Sequence, residues 1–411
     1  MDPRLGEGMG LGTARTNSFT GSLDGGPVER VRALLPMIAG AAEQIDRDRR
    51  IPASVMAALH NARLFRILLP RTFGGEEVDP LTFLDVVETI AGAEASTAWN
   101  LCQNTVCSTV AAYLPPDTAR EMWADPAAIL AWGPPAPETR AIAVPGGYRV
   151  TGSWSFASGG RHATWLGGQT AIEEPGGGLR KRENGTVEQR TLFFPASEAR
   201  FTDVWNVLGL RGTASDAFAV KDLFVPEARS LVRDDRRARK ESGPLYRMTT
   251  LNLFALGFGS VALGVSRTLL DAFMHLAQEK TPRAAGSVLR DNAETQAAIG
   301  RAEAKWQAAR VLLRSTIADI WEGLQGGAME GLTMRQRIAI RMASTHAIQT
   351  AREVGGFAYE AAGATAVFAS NPYEKAFRDL HTIAQQVQGR AANFQSVGKY
   401  LLGLEPDTAF L

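Results

Sequence analysis

The sequence predicts an α+β, mainly α chain in three parts: an N-terminal helical domain, a small central β-barrel and a C-terminal four-helix bundle. Three observations lead there. Apolar residues recur at three- and four-residue spacing from Val28 to about Asp125. Proline and glycine clusters with period-two alternation then take over to about Pro244. Long helical patterns return near Leu245 and persist. The boundaries expected are a disordered leader over 1–27, helices over 28–125, the barrel over 126–244 and the bundle over 245–411.

The leader is rich in Gly, Ser and Thr and lacks the continuous apolar run of a signal peptide. Val31, Leu34, Leu35, Ile38 and Ala42 mark a first helix. Ile51-Pro52 opens a second, because proline is tolerated where a helix start needs no N–H. Leu81–Ala93 and Ser96–Ala112 read as further helices; the latter is very apolar yet carries Trp99, Asn100, Gln103 and Asn104. Amides there must either bond to neighbouring backbone or face a ligand cavity, since an unpaired buried amide is costly. Alternation over Tyr148–Phe156 marks a strand; 164–169, 191–194, 217–221 and 223–225 are shorter candidates. The glycine- and charge-rich run 173–189 reads as a long exposed loop. The bundle helices are expected over 251–278, 292–322, 332–362 and 374–402, the first with small residues that permit close helix contacts.

The composition excludes several functions. Charges nearly cancel, giving +1 over 411 residues, which argues against nucleic acid or a membrane surface as partner. No run of eighteen apolar residues predicts a membrane span. Cys102 and Cys107, the only cysteines, have neither disulfide nor metal spacing and suit a reducing cytoplasm. His60, His275 and His346 have no partner at metal spacing, so no metal site is expected. No G-x-G-x-x-G opens a helix after a strand, so a Rossmann-type NAD(P)H site is not expected.

Four stretches carry a resemblance: GAEASTAW (Gly92–Trp99), GYRVTGSWSFASGGRHATW (Gly147–Trp165), VWNVLGLRGTASD (Val204–Asp216) and NPYEKAFRDLHT (Asn371–Thr382). Together they resemble the acyl-CoA dehydrogenase fold, and more closely its oxygenase branch, the two-component (group D) flavin-dependent monooxygenases. The likeness runs from about Val31 to Leu402. It implies a hydroxylase that uses reduced FMN or FAD, loosely bound and supplied by a separate, transiently bound flavin reductase. It implies transfer of one oxygen of O2, through a flavin C4a-hydroperoxide, to a small aromatic or heteroaromatic substrate, in a cytoplasmic homotetramer. The alternative is an acyl-CoA dehydrogenase or oxidase with FAD. Against it, Val387 or Gln388 stands where a dehydrogenase of this family carries its carboxylate base, and neither accepts an α-proton.

The resemblance also implies site residues. His381 is the expected peroxide partner and Ser158 the hydroxyl near the flavin ring, these two being the catalytic candidates. Trp154 and Phe156 either wall the ring or alternate in the barrel core. Arg211 with Thr213 and Ser215, and Arg283 on the Thr281-Pro282-Arg283 loop, are candidates for the flavin phosphate, Arg211 competing with a salt-bridge role. Trp99, Asn100, Gln103, Asn104 and Cys107 are the substrate candidates; Cys107 stands where relatives often carry a phenol-binding histidine. His162 is expected to be a barrel histidine.

Overall fold

Val31, Leu34 and Ile38 repeat at helical spacing, and all three are buried on α1 (Pro27–Gly40) against the N-terminal core. The structure, a computed structural model, describes residues 25–283, 286–327, 330–408 and 411; all but the last three residues of the expected leader lie outside them. The first helix does not run through Ala42 as expected. It breaks at Ala41, and α2 (Ala42–Asp48) ends on Arg49 in a left-handed conformation. Pro52 is the N-cap of α3 (Ala53–Asn61). Asp79 caps α4 (Pro80–Ala93) by accepting from the Thr82 N–H at 3.0 Å. The Glu94 carboxylate does the same for α5 (Ala95–Ser108), a helix buried along its whole length. A short α6 (Pro116–Met122), not anticipated, closes the helical region.

The strands form one eight-stranded sheet, in chain order β1 (Leu130–Gly133), β2 (Arg140–Val144), β3 (Gly147–Trp154), β4 (Trp165–Glu173), β5 (Gln189–Pro195), β6 (Arg200–Thr202), β7 (Ala217–Pro226) and β8 (Ser230–Leu231). The spatial order is β6-β7-β3-β2-β4-β5-β8, with β1 parallel to β4. Tyr148, Val150, Trp154, Phe194 and Phe218 give it a core of its own. Residues 217–221 and 223–225, expected as two strands, are one. The interruption at Lys221-Asp222 is a register shift opposite Val150/Gly152, where Asp222 takes φ 50°.

The last region holds α7 (Thr250–Glu279), α8 (Ala293–Gln325), α9 (Met334–Ala362), α10 (Pro372–Ile383) and α11 (Asn393–Leu401). Capping boxes, Thr249 with Asn252 and Thr333 with Gln336, fix the starts of α7 and α9. α7 is long and apolar enough to cross a membrane by composition, but 89% of that stretch is buried inside the protein. Gly257 lets it approach α5 closely: a Cβ there would stand 2.4 Å from the Cys102 sulfur.

The fourth bundle helix, expected over 374–402, is broken in two. Local bonds capture the backbone between α10 and α11. The Gln388 carbonyl accepts from Thr345 Oγ1 at 2.9 Å and Asn393 Nδ2 at 3.0 Å, and the Gln388 side chain accepts from buried Arg341. Side-chain partners thus replace the helical ones. The break turns residues 385–388 toward the cleft between sheet and helices.

Candidate active site

That cleft is a cavity of about 550 Å³ between the sheet, α5, α7 and the α10–α11 connection. Its helical wall is aromatic. Phe254 and Phe258, one turn apart on α7, lie parallel with centroids 5.6 Å apart, and Trp99 of α5 stacks on Phe258 at 3.8 Å. Trp132 of β1 meets Phe254 edge-on at 6.1 Å. Such a wall favours a planar ligand. Among the described residues, no carboxylate lines it.

At the mouth stands Phe156, two residues beyond the end of β3. It is 62% exposed, has φ 56° and meets Trp205 edge-on at 5.8 Å. A bulky side chain in the left-handed region is strained, and such strain gathers at ligand-binding positions.

Ser158 sits at the inner end, in a chain of hydroxyls whose direction can be read off. Thr213 Oγ1 donates to the Leu210 carbonyl at 2.8 Å, which commits its proton. Ser215 Oγ, 2.7 Å from Thr213 Oγ1, must therefore donate to it. Ser158 Oγ, 2.7 Å from Ser215 Oγ, must in turn donate to Ser215. Trp99 Nε1–H donates to Ser158 at 3.0 Å. Every proton thus points away from the cavity, and Ser158 presents it with a lone pair.

The far end of this chain is clamped to α10. The Leu210 N–H donates to Asp379 Oδ1 at 2.6 Å, and Arg378 Nη1 donates to the Leu208 carbonyl at 2.7 Å. Gly209 is required between them, since a Cβ would meet the Arg378 carbonyl oxygen at 2.2 Å. Lys375 Nζ bridges Asp379 at 2.8 Å and Glu94 at 2.9 Å, with both carboxylates buried. Burial opposes the Lys375 charge, but Glu94 and Asp379 outweigh it and hold the ammonium well above its usual range. Burial likewise opposes the Glu94 charge, but Lys375 and the Thr97 donors hold that carboxyl low, whereas burial leaves Asp379 raised.

The sequence-derived candidates divide. Trp99, Gln103, Phe156 and Ser158 line the cavity. Asn104 does not: its amide ties the Leu130 carbonyl at 3.1 Å to the Ser158 carbonyl at 3.3 Å, holding the Ser158 turn. Asn100 turns to the Thr213 carbonyl at 3.4 Å, its own oxygen buried without a partner. Cys107 lies behind Gln103, which donates to its sulfur at 3.6 Å; burial pushes its thiol well up. Trp154 points into the sheet core, stacked on Phe218 at 5.1 Å and bonded to the Gln169 carbonyl at 2.9 Å, because strand alternation sends it inward. Thr213 is fully buried in the hydroxyl chain. Arg211 is half-buried beside it, its Nε without a partner, and Arg283 is exposed beyond the end of α7; neither lines the cavity.

His381 does not reach the cavity wall either; the next residue on α10, Thr382, does. Successive helical side chains diverge by about 100°, so His381 packs one turn back on Phe377 at 4.2 Å, which stacks on Tyr359 of α9. Burial and then Arg352 lower its pKa, which favours the uncharged imidazole. Cavity residues not anticipated are Trp132, Gln169, Trp205, Arg233, Phe254 and Phe258. The four-residue spacing of the two phenylalanines looks the same for core and cavity wall.

His162, one turn after Ser158, is a half-buried histidine whose Nε2 has no partner. Burial, then Arg50 and His60, push its pKa from 6.5 down to about 4. Because the folded value is depressed, the unfolded chain binds the proton first. Stability therefore falls as pH drops from 6.5 toward 4, by up to about 3 kcal/mol from this residue. Denaturant melts of wild type and His162→Gln across that range check this: the gap between the two curves should change in favour of the variant as pH falls.

Comparison with known proteins agrees with this layout. The acyl-CoA dehydrogenase N-terminal domain family matches residues 29–128 and the acyl-CoA dehydrogenase C-terminal domain family matches 256–389, together more than half of the chain. Indole-3-acetate monooxygenase of Pseudomonas putida is 27% identical over 370 residues, 90% of this chain and 91% of that protein. The oxygenase subunit HsaA, a flavin-dependent monooxygenase of Rhodococcus jostii, is 29% identical over 86% of this chain and 92% of its own. The crystal structure of 3-HSA hydroxylase from Rhodococcus sp. RHA1 superposes with a TM-score of 0.85 at 27% identity, over 95% of this chain and 100% of that one. The chain belongs to the acyl-CoA dehydrogenase family, in the branch formed by the oxygenase components of flavin-dependent monooxygenases.

Proposed function

We propose that this cavity holds reduced flavin beside an aromatic substrate and that Phe156, Ser158 and Thr382 meet the flavin. The chain is a flavin-dependent monooxygenase acting on an aromatic or heteroaromatic small molecule, with reduced FMN or FAD delivered by a separate reductase. The observation that carries the cavity assignment is its lining: aromatic rings, an inward lone pair on Ser158 and, among the described residues, no carboxylate. Reduced flavin, when bound, supplies two electrons to O2, so that one oxygen atom enters the substrate and the other leaves as water. The protein contributes position and exclusion of water. Trp99, Phe254 and Phe258 orient a planar substrate, and Ser158 accepts from an N–H presented to it. Val387 and Gln388 line the wall where an acyl-CoA dehydrogenase needs a base, and Gln388 is already held by Arg341.

His381 lies outside the cavity wall, one residue from Thr382, so a proton role for this half-exposed imidazole would reach the cavity indirectly. His381→Ala is then expected to lower oxygenated product per NADH consumed about tenfold, less than the roughly hundredfold or more that a general acid or base in direct contact contributes. Unchanged coupling assigns the proton to another group. Exposed Val367, Phe368, Leu401 and Leu402 are consistent with a homotetramer, which light scattering tests, and two buried free thiols with a cytoplasmic location. The whole reading is tested by supplying NADH, flavin and a flavin reductase to the purified protein with a panel of phenols and indoles. Oxygenated product supports it; H2O2 alone across the panel counts against it.

A further inference from the structure

Among the described residues, one cation lines the cavity. Arg233, in the segment between β8 and α7, lies over the Trp132 ring at 5.3 Å and donates to Gln169 Oε1. Among the described residues no carboxylate stands within ion-pair distance of it. Its neighbour Asp234 is turned away by a left-handed backbone, φ 59°, and caps α7 by accepting from the Thr250 N–H at 2.9 Å and hydroxyl at 3.0 Å. The two adjacent charges therefore form no ion pair, although Asp234 still favours the Arg233 charge through space, and the direct partners of the guanidinium are an amide oxygen and an aromatic face. A half-buried guanidinium has five donors to satisfy, and its planar fork matches a carboxylate.

Its place along the cavity matters as much. The ring contacts run in series, Trp99 to Phe258, Phe258 to Phe254, Phe254 to Trp132. Ser158 bonds to the first ring and Arg233 covers the last. Arg233, Gln169 and Leu251 also line an adjoining cavity of about 280 Å³, so the guanidinium stands at a boundary with room on both sides.

We infer that Arg233 is the substrate's anion anchor: the cavity selects planar aromatic molecules bearing a carboxylate, which pairs with Arg233 while the ring lies along Phe254 and Phe258. This rests on the monooxygenase reading for what happens next, but the pairing itself is a binding property of this chain. Gln169 is a positioning residue, holding the guanidinium fork from behind.

The test is ligand binding to flavin-free protein, read by isothermal titration calorimetry. The probes are 4-hydroxyphenyl and indol-3-yl acids with one to three carbons in the acid chain, each paired with its neutral primary amide. Wild type is expected to bind the best acid at least about tenfold tighter than its amide. Arg233→Met should weaken that acid by about 10- to 100-fold, as expected for losing a charge-assisted pair, and move the amide by less than about threefold. Arg233→Lys should recover part of the loss. Equal losses for acid and amide, amides that match acids in wild type, or no saturable binding by any acid would each overturn the inference. If acids bind through Arg233 but none is oxygenated, the monooxygenase reading fails and the anchor stands.

Discussion

Lys375→Met is expected to destabilise the protein by about 3–5 kcal/mol, the usual cost of stripping one partner from a buried ion pair. The geometry concentrates the cost on one side chain. Lys375 is the shared counter-ion of Glu94 and Asp379, whose side chains are 0% and 1% exposed. Glu94 caps α5, which carries Trp99 and Gln103, and Asp379 pins the Leu210 N–H at the end of the hydroxyl chain. Removing the ammonium leaves two buried carboxylates facing each other. Both would then titrate above their unfolded values, so the folded variant would bind more protons than the unfolded chain. Its stability should therefore rise as pH falls through the carboxylate range, opposite to the trend from His162. Lys375→Arg keeps the charge and should recover most of the loss. Denaturant melts at several pH values separate these outcomes; a Lys375→Met variant within 1 kcal/mol of wild type on the order of the surface-pair scale would show that the triad is not a structural clamp.

Ser158→Ala is expected to weaken reduced flavin about five- to tenfold while changing oxidised flavin much less. The direction of the protons sets this difference. Ser158 accepts from Trp99 and donates to Ser215, so only a lone pair faces the cavity. Reduced flavin carries a proton on N5 and can donate; oxidised flavin has an acceptor there. A net hydrogen bond of about 1 kcal/mol corresponds to about fivefold in affinity. Ser215→Ala should do the reverse, freeing the Ser158 proton to turn inward and raising the relative affinity for oxidised flavin. Equilibrium titrations of both redox states under anaerobic conditions read this directly. Equal losses in both states for Ser158→Ala would mean that the serine supports the wall rather than contacting the flavin.

Much of this layout was legible in the residue order. Periodicity located α4, α5, α7, α8 and α9, since each presents a continuous apolar face, and alternation located β3. The break after Ile383 was not legible, because residues 384–392 could continue a helix by local preference. Thr345 and Arg341 on α9 decide otherwise, from more than forty positions away. The site was legible where motif residues face inward, as Trp99 and Ser158 do. It was not legible at Arg233, whose role depends on Asp234 turning away and on Trp132 and Gln169 arriving from β1 and β4. His381 illustrates the converse: one residue of helical rotation separates it from Thr382, and no motif states which of the two faces the cavity.

The central claim is that this cavity directs an oxygen atom from O2 into an aromatic substrate. The most direct measurement is a single turnover with protein, pre-reduced flavin and 18O2, followed by mass spectrometry of the bound aromatic acid. The expected product carries one 18O atom, and no reaction is expected when acyl-CoA replaces the acid. Bleaching of protein-bound FAD by acyl-CoA, with no labelled aromatic product, would contradict it.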